Sequence, residues 1–182
     1  MTELPEASRP LRLILDYIST PVGETLLLTD ESGALRAVDF ADYEARMKTL
    51  MRRHYGTMTV EPGRAPNAIR NGLERYFAGE FWALKGLTWK TNGTLFQRRV
   101  WAGLCGIWAG QTMSYRDLAQ AVGSPKGMRA VGLANGANPI AIVVPCHRVI
   151  GADGSLTGYG GGLSRKAWLL AHEGVEIAPP RA

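Results

Sequence analysis

The stretch SYRDLAQAVGSPKGMRAVGLANGAN, residues 114–138, reads as two short helices joined by a tight turn. Ser114 is placed to cap the first, with Asp117 in the first turn and Gly123 to end it. Ser124 followed by Pro125 at a first helical position predicts the start of the second. Two such helices make a helix-turn-helix, so this part of the chain belongs to a mostly helical domain. The second helix is built from Gly127, Ala130, Gly132, Ala134 and Gly136, which disfavour helix interiors or add no bulk. Small residues permit close approach of a partner, either another helix or a nucleic-acid groove. Arg129 within the same helix favours the groove.

Downstream, NPIAIVVPCHRVIG spans residues 138–151. The run PIAIVV reads as a buried strand, which puts Pro145 and Cys146 at a strand end, where site residues commonly project. A thiol becomes a useful nucleophile as the thiolate, which needs a base or a positive environment. His147 and Arg148 follow at once. Neighbours on an extended chain point to opposite faces, so adjacency alone establishes no Cys–His contact. LLAHEG adds His172 and Glu173 near the end of a helix running from Ser164 to a terminating Gly174, and a base needs such an orienting group. The residues by themselves leave open that Cys146 is an inert strand-end side chain and His147 a surface imidazole.

Upstream, Thr94 is placed to cap a helix with Phe96, Val100, Leu104 and Ile107 on one stripe, and Cys105 beside it reads as a small buried hydrophobe. LKGLTWKTNG, residues 84–93, breaks the periodicity. It predicts a linker between an N-terminal domain over 1–83 and a C-terminal one over 94–182. In the first of these, LRLILDYIST, ETLLLTD and ALRAVDF are short β-rich runs separated by PVG and DESG, the punctuation of an antiparallel meander. Tyr43, Met47, Leu50 and Met51 then fall at helical spacing up to Gly56. A second helix across PNAIRNGLERYFAGE puts Ile69, Leu73, Tyr76 and Phe77 on one face. This half reads as a small α+β unit whose aromatics and methionines are core. Nothing in it suggests a site, and His54 is expected in solvent.

Composition sets the outer bounds. A chain of 182 residues, 46% of them hydrophobic, buries a core without staples. Its 2 cysteines make no disulfide framework. No secretory pattern is visible, which predicts a reducing cytoplasm. No apolar run approaches the roughly 20 residues of a membrane helix. The formal charge of +5 is uneven: residues 1–92 carry 12 Lys/Arg against 12 Asp/Glu, and residues 93–182 carry 9 against 4. The C-terminal half is therefore the candidate for a polyanionic partner.

PCHRVIG, followed by GYGGGLSRKAWLLAHEG and preceded by FQRRVW, SYRDLAQAVG and RAVGLANGANPI, resembles the O6-alkylguanine-DNA alkyltransferases, which remove alkyl groups from guanine. The match is dense from about Thr94 to Gly174. It is loose before that, through TPVGETLLLTD and LERYFAGE. The resemblance implies an α+β fold, with a ribonuclease H-like N-terminal sheet and helices followed by a winged-helix-like C-terminal domain. It implies an irreversible, single-turnover transfer from O6-alkylguanine, and from O4-alkylthymine, in double-stranded DNA to the protein's own cysteine, with no cofactor. The nucleophile would be Cys146, His147 the base acting through a water, and Glu173 its holder. Tyr115 would donate a proton toward the guanine ring nitrogen, and Asn138 would tie the helix-turn-helix to the active-site strand. Substrate would meet Tyr159 and Gly160, the carbonyls of Cys146 and Val149, and Ala141. Arg129 would fill the gap left by the flipped nucleotide, with Ser114, Lys126, Gly127, Ala130 and Asn135 as further minor-groove contacts of a monomer.

The chain also departs from the family pattern. Members with a structural zinc use cysteines and histidines in the N-terminal half, which here offers only His54, so no metal is expected. IWAG, with Trp108, stands where many members carry IPCG. Gly160 replaces a serine found in some, and Ala141 a proline. Two rival classes fit parts of the sequence. A thiol hydrolase also uses Cys, His and Glu, but it attacks a carbonyl, needs an oxyanion hole and turns over. A lesion-binding protein without repair activity would lack the reactive cysteine.

Overall fold

A computed structural model describes residues 10–177, so the outer ends of both predicted domains lie outside the described residues. The predicted meander is present as β1 (Leu11–Thr20), β2 (Gly23–Asp30) and β3 (Leu35–Phe40), paired antiparallel. A further strand, β4 (Met58–Pro62), adds to β1 in parallel and gives the order β3-β2-β1-β4. Its sequence shows no apolar alternation because almost every residue is exposed, so periodicity had nothing to report.

Helix α1 (Glu44–Tyr55) ends at Gly56 as expected and covers one face of the sheet, where Met47 and Met51 pack on Leu13, Leu26, Leu28 and Ala37. Helix α2 (Asn67–Phe77) covers the other with Ile69, Leu73 and Tyr76. That second face is not closed by the N-terminal half alone. Leu27, Val38 and Tyr76 belong to one apolar cluster with Val100, Val131, Cys146 and Leu169, so the halves share a core. His54 is not in solvent as expected. It is half-buried, with its ring centroid 5.8 Å from that of Trp101, and burial lowers its pKa below the usual imidazole value.

The expected linker is fastened to the sheet. Leu35 N–H donates to Thr88 O at 2.9 Å and Lys90 N–H to Leu35 O at 2.9 Å, so this segment covers the β3 edge. Helix α3 (Leu95–Leu104) begins with a capping box between Thr94 and Gln97. Cys105 is exposed, contrary to expectation, because it is the C-cap residue and lies off the buried Val100–Leu104 stripe.

A two-residue strand, β5 (Met113–Ser114), leads into α4 (Tyr115–Ala121), capped by Ser114 through Asp117 N–H at 3.1 Å and ended at Gly123. The second helix, α5 (Met128–Gly136), starts later than Pro125 predicts, because Gly127 N–H bonds Ser124 O at 2.8 Å and makes a turn first.

The run PIAIVV is not a strand. Val38 N–H donates to Pro139 O and Ala141 N–H to Val38 O, each at 2.9 Å, and the chain then turns through Ile142 at φ 70°. Burial here comes from the junction of the halves, so a β-branched run is dry without sheet neighbours on both sides. A β-branched residue in the left-handed region is an outlier that surrounding structure must hold. Cys146–Arg148 form a 3-10 turn, then come β6 (Val149–Ile150), parallel to β5, and α6 (Leu163–His172).

Candidate active site and nucleic-acid interface

Because Cys146 and His147 sit in a tight turn and not on an extended chain, both are buried side by side. His147 is not a surface imidazole. Its Nε2 lies 2.9 Å from Glu173 Oε1, while Nδ1 has no protein partner among the described residues. With Nε2–H donated to the carboxylate, Nδ1 carries the free lone pair. Burial pushes the His147 pKa down against the pull of Glu173, so the ring is neutral at pH 7.

Glu173 is unusually well held. Arg148 donates to it twice, Nε to Oε2 and Nη2 to Oε1, each at 2.8 Å, and the Tyr76 hydroxyl donates to Oε1 at 2.7 Å. Burial alone would raise this carboxyl's pKa. The hydrogen bonds and charges of His147 and Arg148 overcome that and hold it well below the usual range, so Glu173 is an anion. His147 and Glu173 are thus paired, with Cys146 in the same turn as the histidine, but Arg148 serves the glutamate and not the thiol.

Burial raises the Cys146 pKa, opposed by an Asn138 hydrogen bond and by the charges of Arg46 and Lys166. The resting group is a thiol that needs a base. Asn138 pins the turn that carries it, donating from Nδ2 to Val144 O at 2.8 Å and accepting Ile140 N–H at 3.0 Å. It ties the helix pair to a turn, where a strand was expected. Asn135 was placed among the DNA contacts, yet it is buried, and its Nδ2 approaches Cys146 O at 3.4 Å. It belongs to the interior of the site.

Lys166 is a second buried cation that sequence reasoning passed over. It donates to Val149 O, to Thr157 O at 2.8 Å and to Gly158 O at 3.3 Å, tying β6 to the loop before α6. Burial lowers its pKa to about 8, which leaves it charged at pH 7. The Val149 carbonyl therefore already has one donor. Tyr115 gives its hydroxyl to Thr157 O at 3.0 Å, and its pKa is raised by burial. Tyr159 buries its hydroxyl without a protein partner among the described residues, beside Phe40.

The N-terminal half reaches in here, although its sequence suggested no site. Arg46 of α1 pairs with the buried Asp39 at 2.6 Å and donates to Gly136 O at 2.7 Å. A Cβ at Gly160 would sit 2.4 Å from that guanidinium, so the glycine that replaces a serine makes room for Arg46. Ala141 is buried, with its N–H spent on Val38.

The outer face of α5 is open. Met128, Arg129, Ala130, Leu133 and Gly136 are exposed, as is Lys126 before it. A shallow cavity of about 350 Å³ lies between α4 and α5, lined by Tyr115, Met128, Arg129, Gly132 and Leu133. A Cβ on Gly132 would come no nearer than 3.8 Å to Tyr115 and one on Gly136 would meet nothing, so packing within the chain does not require either glycine. Gly127 differs, because a Cβ there would strike Ser124 Oγ. The Ser114 hydroxyl is committed to Asp117, at 2.6 Å. The basic excess is only partly on this face, since Arg148 and Lys166 are internal and Arg165 pairs with Asp42.

A larger cavity, about 390 Å³, is lined by Leu84, Trp89, Cys105, Trp108, Pro145 and Arg148 among others, and not by Cys146. Trp108 packs edge-on against Trp82, with Lys85 over its ring at 4.7 Å. Among the described residues no group of three or more His, Cys, Asp or Glu is arranged to hold a metal ion. None of their helices is long and apolar enough to cross a membrane.

Comparison with known proteins agrees with this geometry. The family model described as 6-O-methylguanine DNA methyltransferase, DNA binding domain, matches residues 95–175. A Salmonella typhimurium methylated-DNA–protein-cysteine methyltransferase is 49% identical over 166 residues, covering 90% of this chain and 97% of the relative. A namesake from Methanosarcina barkeri is 42% identical over 158 residues, 87% of this chain and 95% of its own. Among solved structures, Mycobacterium tuberculosis OGT in complex with DNA superposes with a TM-score of 0.73 at 41% identity, covering 90% of this chain and 92% of that one.

Proposed function

This chain belongs to the methylated-DNA–protein-cysteine methyltransferase family, and from that premise we propose that Cys146 takes the alkyl group from O6-alkylguanine, and from O4-alkylthymine, in duplex DNA. One observation carries the reading. A buried cysteine shares a turn with the histidine of a His–Glu pair 2.9 Å apart, and Tyr115 lines the cavity that holds Arg129.

The chemistry follows from these groups. O6 of a paired guanine lies inside the stack, so the nucleotide must be extruded, at a cost of a few kcal/mol. Exposed Arg129 on α5 would occupy the vacated space, and the small residues of that helix let it approach the minor groove, with Lys126 and backbone groups near Ser114 and Gly127 meeting phosphates. Binding of this kind is salt-dependent and indifferent to sequence. Damage is selected in the pocket bounded by Tyr159, Gly160 and Ala141.

His147 Nδ1 takes the thiol proton through a water, and Glu173 stabilises the imidazolium that forms. Sulfur attacks the alkyl carbon, the S–C bond forms, and the C–O6 bond breaks. Tyr115 leaves Thr157 O to protonate the departing guanine, so the base leaves neutral and the tyrosinate recovers its proton from the imidazolium. A thioether on saturated carbon offers water no carbonyl to attack, so each chain acts once.

Two variants test the reading. Cys146→Ser should bind an O6-methylguanine duplex with unchanged affinity and transfer nothing, since a serine hydroxyl forms no comparable anion at neutral pH. Arg129→Ala should slow repair of duplex far more than reaction with free O6-benzylguanine, which needs no extrusion. Residual transfer by the serine variant, or equal losses on both substrates for the alanine variant, would count against it.

A further inference from the structure

We propose that Tyr76 is a positioning residue of the alkyl transfer, delivered from the N-terminal half: its hydroxyl fixes Glu173 Oε1 and takes up part of the carboxylate's charge, so that Glu173 orients His147 while the imidazole stays neutral. The proposal rests on the alkyl-transfer reading above. Tyr76 is fully buried, on the α2 stripe that also carries Ile69 and Leu73, and its hydroxyl meets Glu173 from the far side of the shared core. A buried tyrosine can close such a core with its ring alone. Its hydroxyl must then find a partner, and here that partner is the carboxylate that holds the base.

Oε1 is the crowded atom. It accepts from Tyr76 at 2.7 Å, from Arg148 Nη2 at 2.8 Å and from His147 Nε2 at 2.9 Å. Donors on one oxygen compete for its electron density. Each one that stabilises the anion makes it a weaker acceptor for the imidazole, and so a weaker stabiliser of the imidazolium. His147 also feels the cations of Arg148 and Lys166, which act in the same direction. Tyr76 itself faces Glu173, Arg148 and Tyr159, with the His172 ring edge-on at 5.5 Å. Burial and the nearby carboxylate raise the phenol's pKa, so it stays a donor at every pH at which the protein works.

The sign is then fixed. Removing the hydroxyl leaves Glu173 more basic toward His147, and the imidazole holds its proton to higher pH. A ring that serves only to fill space would predict a loss equal at all pH values.

The experiment is the single-turnover rate of methyl transfer from an O6-methylguanine duplex, followed across the range in which histidine titrates. For Tyr76→Phe the acid limb of the profile should move up by about half a unit, with the rate above the limb lowered less than below it. Replacing Tyr76 by 3-fluorotyrosine, a stronger donor of nearly the same shape, should move the limb the other way, which keeps the proposal testable should the phenylalanine variant fold poorly. Phe81→Leu, which removes an aromatic neighbour 5.8 Å from Tyr76 and no donor, should cost stability and leave the limb in place. A limb that stays put in both Tyr76 variants would overturn the proposal, whether or not the rate falls. Absence of transfer by the wild-type chain would instead overturn the functional reading.

Discussion

The two halves of this chain announce themselves differently. The C-terminal half carries its chemistry in the open, as PCHR, a glycine-rich loop and a helix pair with a bare outer face. The N-terminal half reads as an ordinary small α+β unit, yet three of its side chains, Asp39, Arg46 and Tyr76, close the site. The proposed nucleophile, base and proton donor are local to one half, while the groups that hold them in register are shared. A scaffold half that donates the Tyr76 hydroxyl to Glu173 and Arg46 to the helix-pair end is part of the site's electrostatics.

The sharpest way to break that division is Glu173→Gln. The amide cannot hold the imidazolium, and it leaves the buried Arg148 without its counter-charge. Transfer should slow by about 10²-fold or more, and thermal or denaturant unfolding should show a loss of about 3 kcal/mol. A slowed reaction with full stability would mean that Arg148 finds another partner.

Arg46→Ala probes the N-terminal contribution. It strands buried Asp39 and frees Gly136 O. Because the guanidinium is itself 25% exposed, the expected cost is about 2 kcal/mol, smaller than for a fully dry pair. Gly160→Ser should produce a similar loss by displacing the same guanidinium. Urea midpoints for the pair, singly and together, would reveal that non-additivity.

Ala141→Pro is smaller again. A proline there fits the family, but it removes the N–H that donates to Val38 O, a bond between the halves. The expected cost is about 1 kcal/mol. A gain in reactivity toward free O6-benzylguanine from the apolar ring would therefore appear in a less stable protein.

The smallest effect is the response to pH. Folded His147 has a pKa below the ordinary 6.5, so on acidification the unfolded chain takes up a proton that the folded one refuses, and stability begins to decline as pH falls through 6.5. Glu173, held below its ordinary 4.5, adds a further loss below that point. The transfer rate should stay level through pH 6.5 and drop only at more acid values. A rate already halved at 6.5 would show a His147 free of burial.

Much of this was legible beforehand. Ser114 and Gly123 bound α4, Thr94 caps α3, and His147 and Glu173 lie 2.9 Å apart, with Cys146 in the same turn as the histidine. What the sequence hid has physical causes. PIAIVV is apolar because it lies between the halves, and periodicity cannot tell that burial from a strand's. The β4 strand is exposed on almost every residue and carries no pattern. Asn135 reads as an outward helix residue, but its turn of α5 faces inward, toward the Cys146 carbonyl. Two signals were available and went unused. Lys166 sits on the stripe with Leu169 and Leu170, where a lysine needs acceptors, and Tyr76 sits on a core stripe with a hydroxyl to satisfy.

The central claim, that Cys146 is the acceptor and is used up, is tested most directly by the intact mass of the protein after reaction with an excess of O6-methylguanine duplex, followed by peptide mapping. A single added methyl per chain is expected, located on Cys146, with exposed Cys105 unmodified and repair stopping when the protein is spent. A methyl on any other residue, or repair continuing past one lesion per chain with the protein's mass unchanged, would contradict it.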